Sequence, residues 1–239
     1  MFLTSFVSGH WQANCYIIAA DDSKQAVIID PGMEAANRIS QLCTKHELTP
    51  AAVLCTHGHL DHVADAATVC AEYGIPAWIH SADRHLLADP LAGLSYGLAP
   101  FINQLYPDGF SEPANVCHFD DHFLPTREPG RVEIAGIELT LIPAPGHTPG
   151  CVLIMTESEK DNPTRSHLVF TGDVVFDGSI GNTEFPGGDM EQMRHTLINR
   201  VLTLPAGAAI LSGHGRQASL ASQKLQNPYL QPEFLARRF

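Results

Sequence analysis

The chain is short of positive charge. It carries 14 Lys and Arg against 26 Asp and Glu, a formal net charge of -12 over 239 residues. A surface so acidic repels phosphate backbones and anionic lipid headgroups, so neither nucleic acid nor a membrane is an expected partner. There is no C-x-x-C pair: Cys15, Cys43, Cys55, Cys70, Cys117 and Cys151 stand apart, several inside apolar runs such as Val53-Leu54-Cys55. That pattern fits buried, reduced thiols in a cytoplasmic protein better than a disulfide framework. No apolar run approaches the roughly 18 residues a membrane span needs. Met1 to Ile18 is interrupted by His10, Trp11, Gln12 and Asn14, and no Lys or Arg precedes the run, so it does not read as a signal peptide.

What is present is a chain 44% hydrophobic and 17% charged, enough apolar matter to bury a full core without covalent staples. Apolar runs bounded by turn residues predict strands at Cys15–Ala20 and Ala26–Ile29, Ala51–Cys55 and Ala77–His80. A hairpin is predicted around Ala135-Gly136, pairing Val132 and Ile134 with Ile137, Leu139 and Leu141. Further strands fall at Val152–Met155 and His167–Phe170, across a polar turn at Glu159–Thr164, and at Ala208–Leu211. Helices are predicted over Glu34–His46, from Leu60 to Gly74 with Val63, Ala67 and Cys70 on one stripe, and from Met190 to Leu204. The methionines of the last helix read as core. Ser81 to Pro129 has only a helical patch near Arg84–Ala88 and reads as a long insertion in a single domain spanning 1–239.

Chemistry concentrates at strand ends. The strand ending at Cys55 runs into Thr56-His57-Gly58-His59-Leu60-Asp61-His62, and others end at His147, Asp173 and His214. In an extended turn His57 and His59, two apart, point the same way and can share an ion. Asp61 and His62 open the following helix and point elsewhere. Catalytic zinc normally takes three protein ligands and a water, so seven ligands divide over two ions. Asp173, with two oxygens, is the natural bridge. Two ions about 3.5 to 4 Å apart can share a hydroxide and polarise the carbonyl it attacks, so Asp61 and Asp173 are also candidate catalytic carboxylates. His10, His46, His80, His85, His118, His122, His167 and His195 read as ordinary surface or hydrogen-bonded side chains. Asp30, Asp65, Asp177 and Asp189 read as acceptors behind ligand imidazoles or as turn and cap residues, Asp189 as a cap.

The run from His57 to His62, followed by His147, Asp173 and His214 in that order, resembles the metallo-β-lactamase superfamily. Ile29-Asp30-Pro31-Gly32, Pro145-Gly146-His147-Thr148-Pro149-Gly150, Gly178-Ser179-Ile180-Gly181 and Phe185-Pro186-Gly187-Gly188-Asp189 are similar to its glyoxalase II-like group. The resemblance implies an α/β fold, a four-layer αβ/βα sandwich with metals at one edge of the two sheets. It implies one ion on His57, His59 and His147, a second on Asp61, His62 and His214, and Asp173 between them. Zinc is the expected metal, with iron or manganese as alternatives. The implied substrate is a small thioester such as S-lactoylglutathione. Relatives often carry Arg where this chain has Asn182, and full-length glyoxalase II adds a C-terminal helical domain that grips glutathione. Two other readings stay open: a persulfide dioxygenase with one iron on His57, His147 and Asp173, and a metal-binding module without catalysis.

Overall fold

The structure is a computed structural model that describes residues 1–95, 97–124, 128–157 and 167–236. The predicted Glu159–Thr164 turn lies outside them. Strands β1 (Phe2–Ser8), β2 (Ala13–Ala19) and β3 (Gln25–Ile29) form an antiparallel meander. Helix α1 (Ala36–His46) leads to β4 (Thr49–Leu54), which lies parallel to β3. Helices α2 (Leu60–Val63) and α3 (Ala66–Tyr73) lead to β5 (Ala77–Ile79). A 3-10 turn at Ser81–Asp83, α4 (His85–Ala88) and α5 (Ala99–Leu105) then precede β6 (Val116–His118). These six strands form one sheet in chain order.

The second sheet has β7 (Gly130–Ile134), β8 (Ile137–Pro143), β9 (Val152–Glu157) and β10 (His167–Gly172) as an antiparallel run. After α6 (Met190–Thr196), β11 (Ala209–Ser212) pairs parallel to β10, and β12 (Ala218–Ser219) closes that edge. Helices α7 (Leu220–Gln226) and α8 (Pro232–Leu235) follow.

Side chains alternate across each strand, so a strand buried on both faces reads as an unbroken apolar run. Ile17 and Ile28 face Ile39 and Val69 of α1 and α3, whereas Ile18, Val27 and Leu54 face Leu141, Ile154 and Phe170 of the other sheet. On the far side Leu153, Val169 and Ile210 pack on Met193 of α6 and Leu220 of α7. The result is the expected four-layer order of helices, sheet, sheet, helices.

Three expectations are refined by the fold. The helix predicted from Glu34 begins at Ala36, because Glu34 takes a left-handed backbone with φ of 60°. The helix from Leu60 is broken at Ala64–Asp65, and its inward stripe runs through Val63, Ala66, Val69 and Cys70 rather than Ala67. After α6 the last predicted helix passes into a π-helical turn at Leu197–Val201. Met193 is core, but Met190 is only partly buried. The segment read as an insertion, Ser81–Pro129, supplies the edge strand β6 and the buried side chains of Leu86, Leu87, Ile102 and Phe119.

Phe170 is 1% exposed and meets Tyr16 of the opposite sheet edge-on, with ring centroids 5.2 Å apart. Phe170→Ala removes this contact between the sheets. It is expected to lower stability by about 3–5 kcal/mol, read from urea denaturation of the metal-free protein.

Candidate metal centre

The loops at one edge of the two sheets carry all seven side chains singled out by sequence, and the fold brings them together. His57 and His59 follow β4, and His59 is the residue before α2, so Asp61 and His62 lie in that helix's single turn. His147 follows β8, Asp173 follows β10, and His214 follows β11. Three sets have ligand atoms within 4.8 Å of one another: His57, His59 and His147; His57, His62 and Asp173; and Asp61, His62 and His214. No other histidine joins such a group among the described residues.

The ligand atoms lie close together. His59 Nδ1 and His147 Nε2 face each other at 2.7 Å. His214 Nε2 is 3.1 Å from Asp61 Oδ2, and His62 Nε2 is 3.3 Å from Asp173 Oδ1. Donors each about 2.0–2.1 Å from a tetrahedral cation sit about 3.3 Å apart. Asp173 Oδ2 lies 3.6 Å from His147 Nε2 and 3.5 Å from His214 Nε2, between the two groups.

Hydrogen bonds behind the rings decide which nitrogen faces inward. His147 Nδ1 donates to the Asn182 carbonyl at 2.6 Å, leaving Nε2 with its lone pair. His62 Nδ1 donates to Asp30 Oδ2 at 3.0 Å. Thr56 Oγ1 donates to the same oxygen at 2.8 Å and so accepts from His57 Nδ1 at 3.1 Å. The Nε2 atoms of His57 and His62 and Oδ1 of Asp173 are buried without a hydrogen-bond partner. Such orphaned atoms are costly unless something binds them, so the donor set fits divalent cations. Of the four other aspartates noted in the sequence, only Asp30 stands behind ligand imidazoles. Asp65 accepts from Ala36 N, Asp177 holds Arg216 and Gln223, and Asp189 caps α6.

Electrostatics split the imidazoles. Burial, reinforced by neighbouring imidazoles, pushes His57 well below its ordinary value and His59 down to about 3, so both are neutral ligands at pH 7. Burial also works against charge on His62, but the carboxylates of Asp61 and Asp173 overcome it and hold that imidazole well above its usual range. His214 is likewise raised: burial opposes its charge, and the bond to Asp61 and the charge of Asp173 outweigh it.

Close approach explains Gly213. A Cβ on Gly213 would lie 2.6 Å from His62 Cε1 and nearer still to Asp173 Oδ1, so the loop that delivers His214 can pass this close only without a side chain. Phe185 packs edge-on against His59 and His147 at 5.5 and 6.3 Å, and Phe176 against His214 at 5.8 Å. Beside His147, a cavity of about 260 Å³ is lined by Asn182, Thr183, Glu184, Met190 and Tyr229, among others.

Sequence reasoning missed one residue here. Asp83, with 0% exposure, accepts from Gly58 N, Gly150 N and Thr148 Oγ1. It lies in the segment read as an insertion, and no local motif marks it.

A family model described as the metallo-beta-lactamase superfamily matches residues 8–214. The chain belongs to the metallo-β-lactamase superfamily. It is 36% identical over 236 residues to uncharacterized protein Rv2581c of Mycobacterium tuberculosis, covering 97% of this chain and 98% of that one. It is 33% identical over 223 residues to hydroxyacylglutathione hydrolase GloC of Haemophilus influenzae, covering 92% and 93%. Among solved structures, the BLEG-1 B3 metallo-beta-lactamase superposes with a TM-score of 0.76 at 28% identity, covering 96% of this chain and 99% of that one. Metallo-β-lactamase folds are metallo-hydrolase scaffolds, and the His and Asp cluster here matches divalent-metal chemistry. Among the described residues no helix is long and apolar enough to cross a membrane.

The raised His62 and His214 set a pH dependence. At pH 7 the metal-free cluster holds protons that an incoming cation must displace, so affinity rises with pH as those imidazoles lose them. Calorimetric zinc titrations in buffers of differing ionisation enthalpy are expected to show release of about one to two protons per loaded chain at pH 7. Zero release would contradict the charge pattern.

Proposed function

We propose that the chain is a dinuclear metal-dependent hydrolase of small thioesters, with S-lactoylglutathione as the reference substrate. The observation that carries the two-ion reading is the position of Asp173 Oδ2, 3.6 Å from His147 Nε2 and 3.5 Å from His214 Nε2. On this reading His57, His59 and His147 would hold one ion and Asp61, His62 and His214 the other, with Asp173 available to both. Zinc fits the imidazole-rich donor set, and iron or manganese fits its carboxylates. When bound, such a pair supplies water that ionises near neutral pH and polarises the carbonyl under attack.

The chain's own residues supply position. Asp61, 3.1 Å from His214 Nε2, and Asp173 face the reacting centre as the carboxylates that orient water, while Phe185 and Phe176 shield the imidazole edges from bulk solvent. The water oxygen bonds to the acyl carbon and the carbon–sulfur bond breaks, its electron pair leaving on sulfur. A thiol of pKa near 8.5 departs as thiolate without needing a side-chain acid.

Kinship with a hydroxyacylglutathione hydrolase supports the thioester class. A mononuclear iron dioxygenase would employ His57, His147 and Asp173 and leave His59, Asp61, His62 and His214 converged without a use. About two metal ions per purified chain and turnover of S-lactoylglutathione or a simpler thioester are the expected results. One iron with oxygen uptake would favour the dioxygenase. His59→Ala and Asp173→Asn are each expected to abolish turnover with circular dichroism unchanged, and retained activity in both would remove the mechanism.

Asn182, whose carbonyl accepts from His147 Nδ1, lines the neighbouring cavity, and on this reading the rest of the substrate would lie there. Its lining carries one carboxylate, Glu184, and no cationic side chain among the described residues. Asn182→Arg should therefore raise kcat/KM for S-lactoylglutathione about two- to fivefold relative to an uncharged N-acetylcysteamine thioester, the range of an exposed charge pair. An unchanged ratio would place glutathione's carboxylates elsewhere.

A further inference from the structure

Asp83 sits on the short turn after β5, 24 residues beyond His59 and 64 before His147 in sequence, yet its carboxylate joins the loops that carry both. Oδ2 accepts from Gly58 N at 3.0 Å, and Gly58 is the residue between His57 and His59. The same oxygen accepts from Thr148 Oγ1 at 2.6 Å, and Oδ1 accepts from Gly150 N at 2.8 Å, so the loop just after His147 is held as well. The two loops approach the carboxylate so closely that side chains are excluded from both. A Cβ on Gly150 would lie 2.5 Å from Asp83 Cγ, and one on Gly58 would lie 3.0 Å from the Asp83 carbonyl and 2.7 Å from Leu86. Burial raises the Asp83 carboxyl, and the three donors work against that rise.

We propose that Asp83 is the positioning residue for one half of the centre: by tying the His57–His59 loop to the His147 loop it sets the three-imidazole site, while leaving Asp61, His62 and His214 to other supports. The inference rests on the dinuclear reading above. Asp30 is the contrasting case. It accepts from His62 directly and reaches His57 through Thr56, so it touches both halves. The three hydrogen bonds that Asp83 accepts go to Gly58, Thr148 and Gly150, whereas His62 is held by Asp30, and His214 faces Asp61 and Asp173.

The test strips metal from the full chain and titrates it with Co(II). Occupancy is read by metal analysis, visible absorption and the shifted imidazole proton resonances of each site. Asp83→Asn keeps the volume and one acceptor, and Thr148→Val removes a single bond if the first variant folds poorly. The expected result is a loss of Co(II) affinity at the three-imidazole site of about tenfold or more for Asp83→Asn, the range seen when groups supporting metal ligands are removed. A smaller loss in the same site is expected for Thr148→Val, and the other site should be unchanged in both. Asp30→Asn should weaken both sites. Equal weakening of the two sites in Asp83→Asn, or none, would overturn the assignment. If the parent chain binds a single Co(II), the dinuclear reading fails. Asp83 is then judged on that ion, and unchanged affinity in Asp83→Asn overturns it.

Discussion

Buried ligand atoms with nothing to bind are the constraint around which this molecule is arranged. His57 Nε2 and His59 Nε2 are buried without a hydrogen-bond partner, and His62 Nε2 and Asp173 Oδ1 are buried with only each other at 3.3 Å. Each such group costs about 1–3 kcal/mol, more when charged, and a small protein's stability is only about 5–15 kcal/mol. A chain that folds around them needs either a compensating cation or very rigid surroundings that hold them in place regardless. The structure provides the second and is shaped for the first. The rigid part is the double sheet, whose strands β4, β8, β10 and β11 bury their last residues and end where the ligand-bearing segments begin.

The same constraint explains the charge asymmetry within the cluster. His57 and His59 are surrounded mainly by other imidazoles and stay neutral, whereas His62 and His214 lie against Asp61 and Asp173 and gain protons. In the metal-free protein those protons stand in for part of the missing positive charge. One half of the centre is therefore prepared as a set of lone pairs, and the other as a set of carboxylates with exchangeable protons.

Legibility in the sequence followed locality. The His57–His62 run, the strand-end aspartate and histidines, and the doubly buried strands could all be read because each signal lies within a few residues. The register of the α2–α3 stripe was misread because Asp65 breaks the helix to receive Ala36 N from a different element, a tertiary event with no local trace. Strands β1, β6 and β12 went unpredicted: β1 has mixed burial along its edge position, and β6 and β12 are three and two residues long. Met190 follows the helical period of a core residue, yet it faces a cavity, because what lies opposite a helix face is set by the fold and not by the period. At Gly58 the need is for space, taken up by Leu86 and Asp83 from the segment read as an insertion.

Asp30 and Asp83 complete that logic. Neither is within reach of a shared ion in the sets that converge, yet each is buried with every near donor engaged. A carboxylate in such a place is destabilised by desolvation, so it persists only if its hydrogen bonds are numerous and its neighbours cannot relax away. Asp30 meets that condition with Thr56 N, Thr56 Oγ1 and His62 Nδ1, and Asp83 with Gly58 N, Gly150 N and Thr148 Oγ1. Both carboxylates bind the Thr56–His62 segment, one on each side of His57; Asp30 also accepts from His62, and Asp83 holds the loop after His147. The loop richest in ligands is thus fixed at two points by groups from outside it, which lets four strand ends from two sheets meet with the small spread of distances that coordination tolerates.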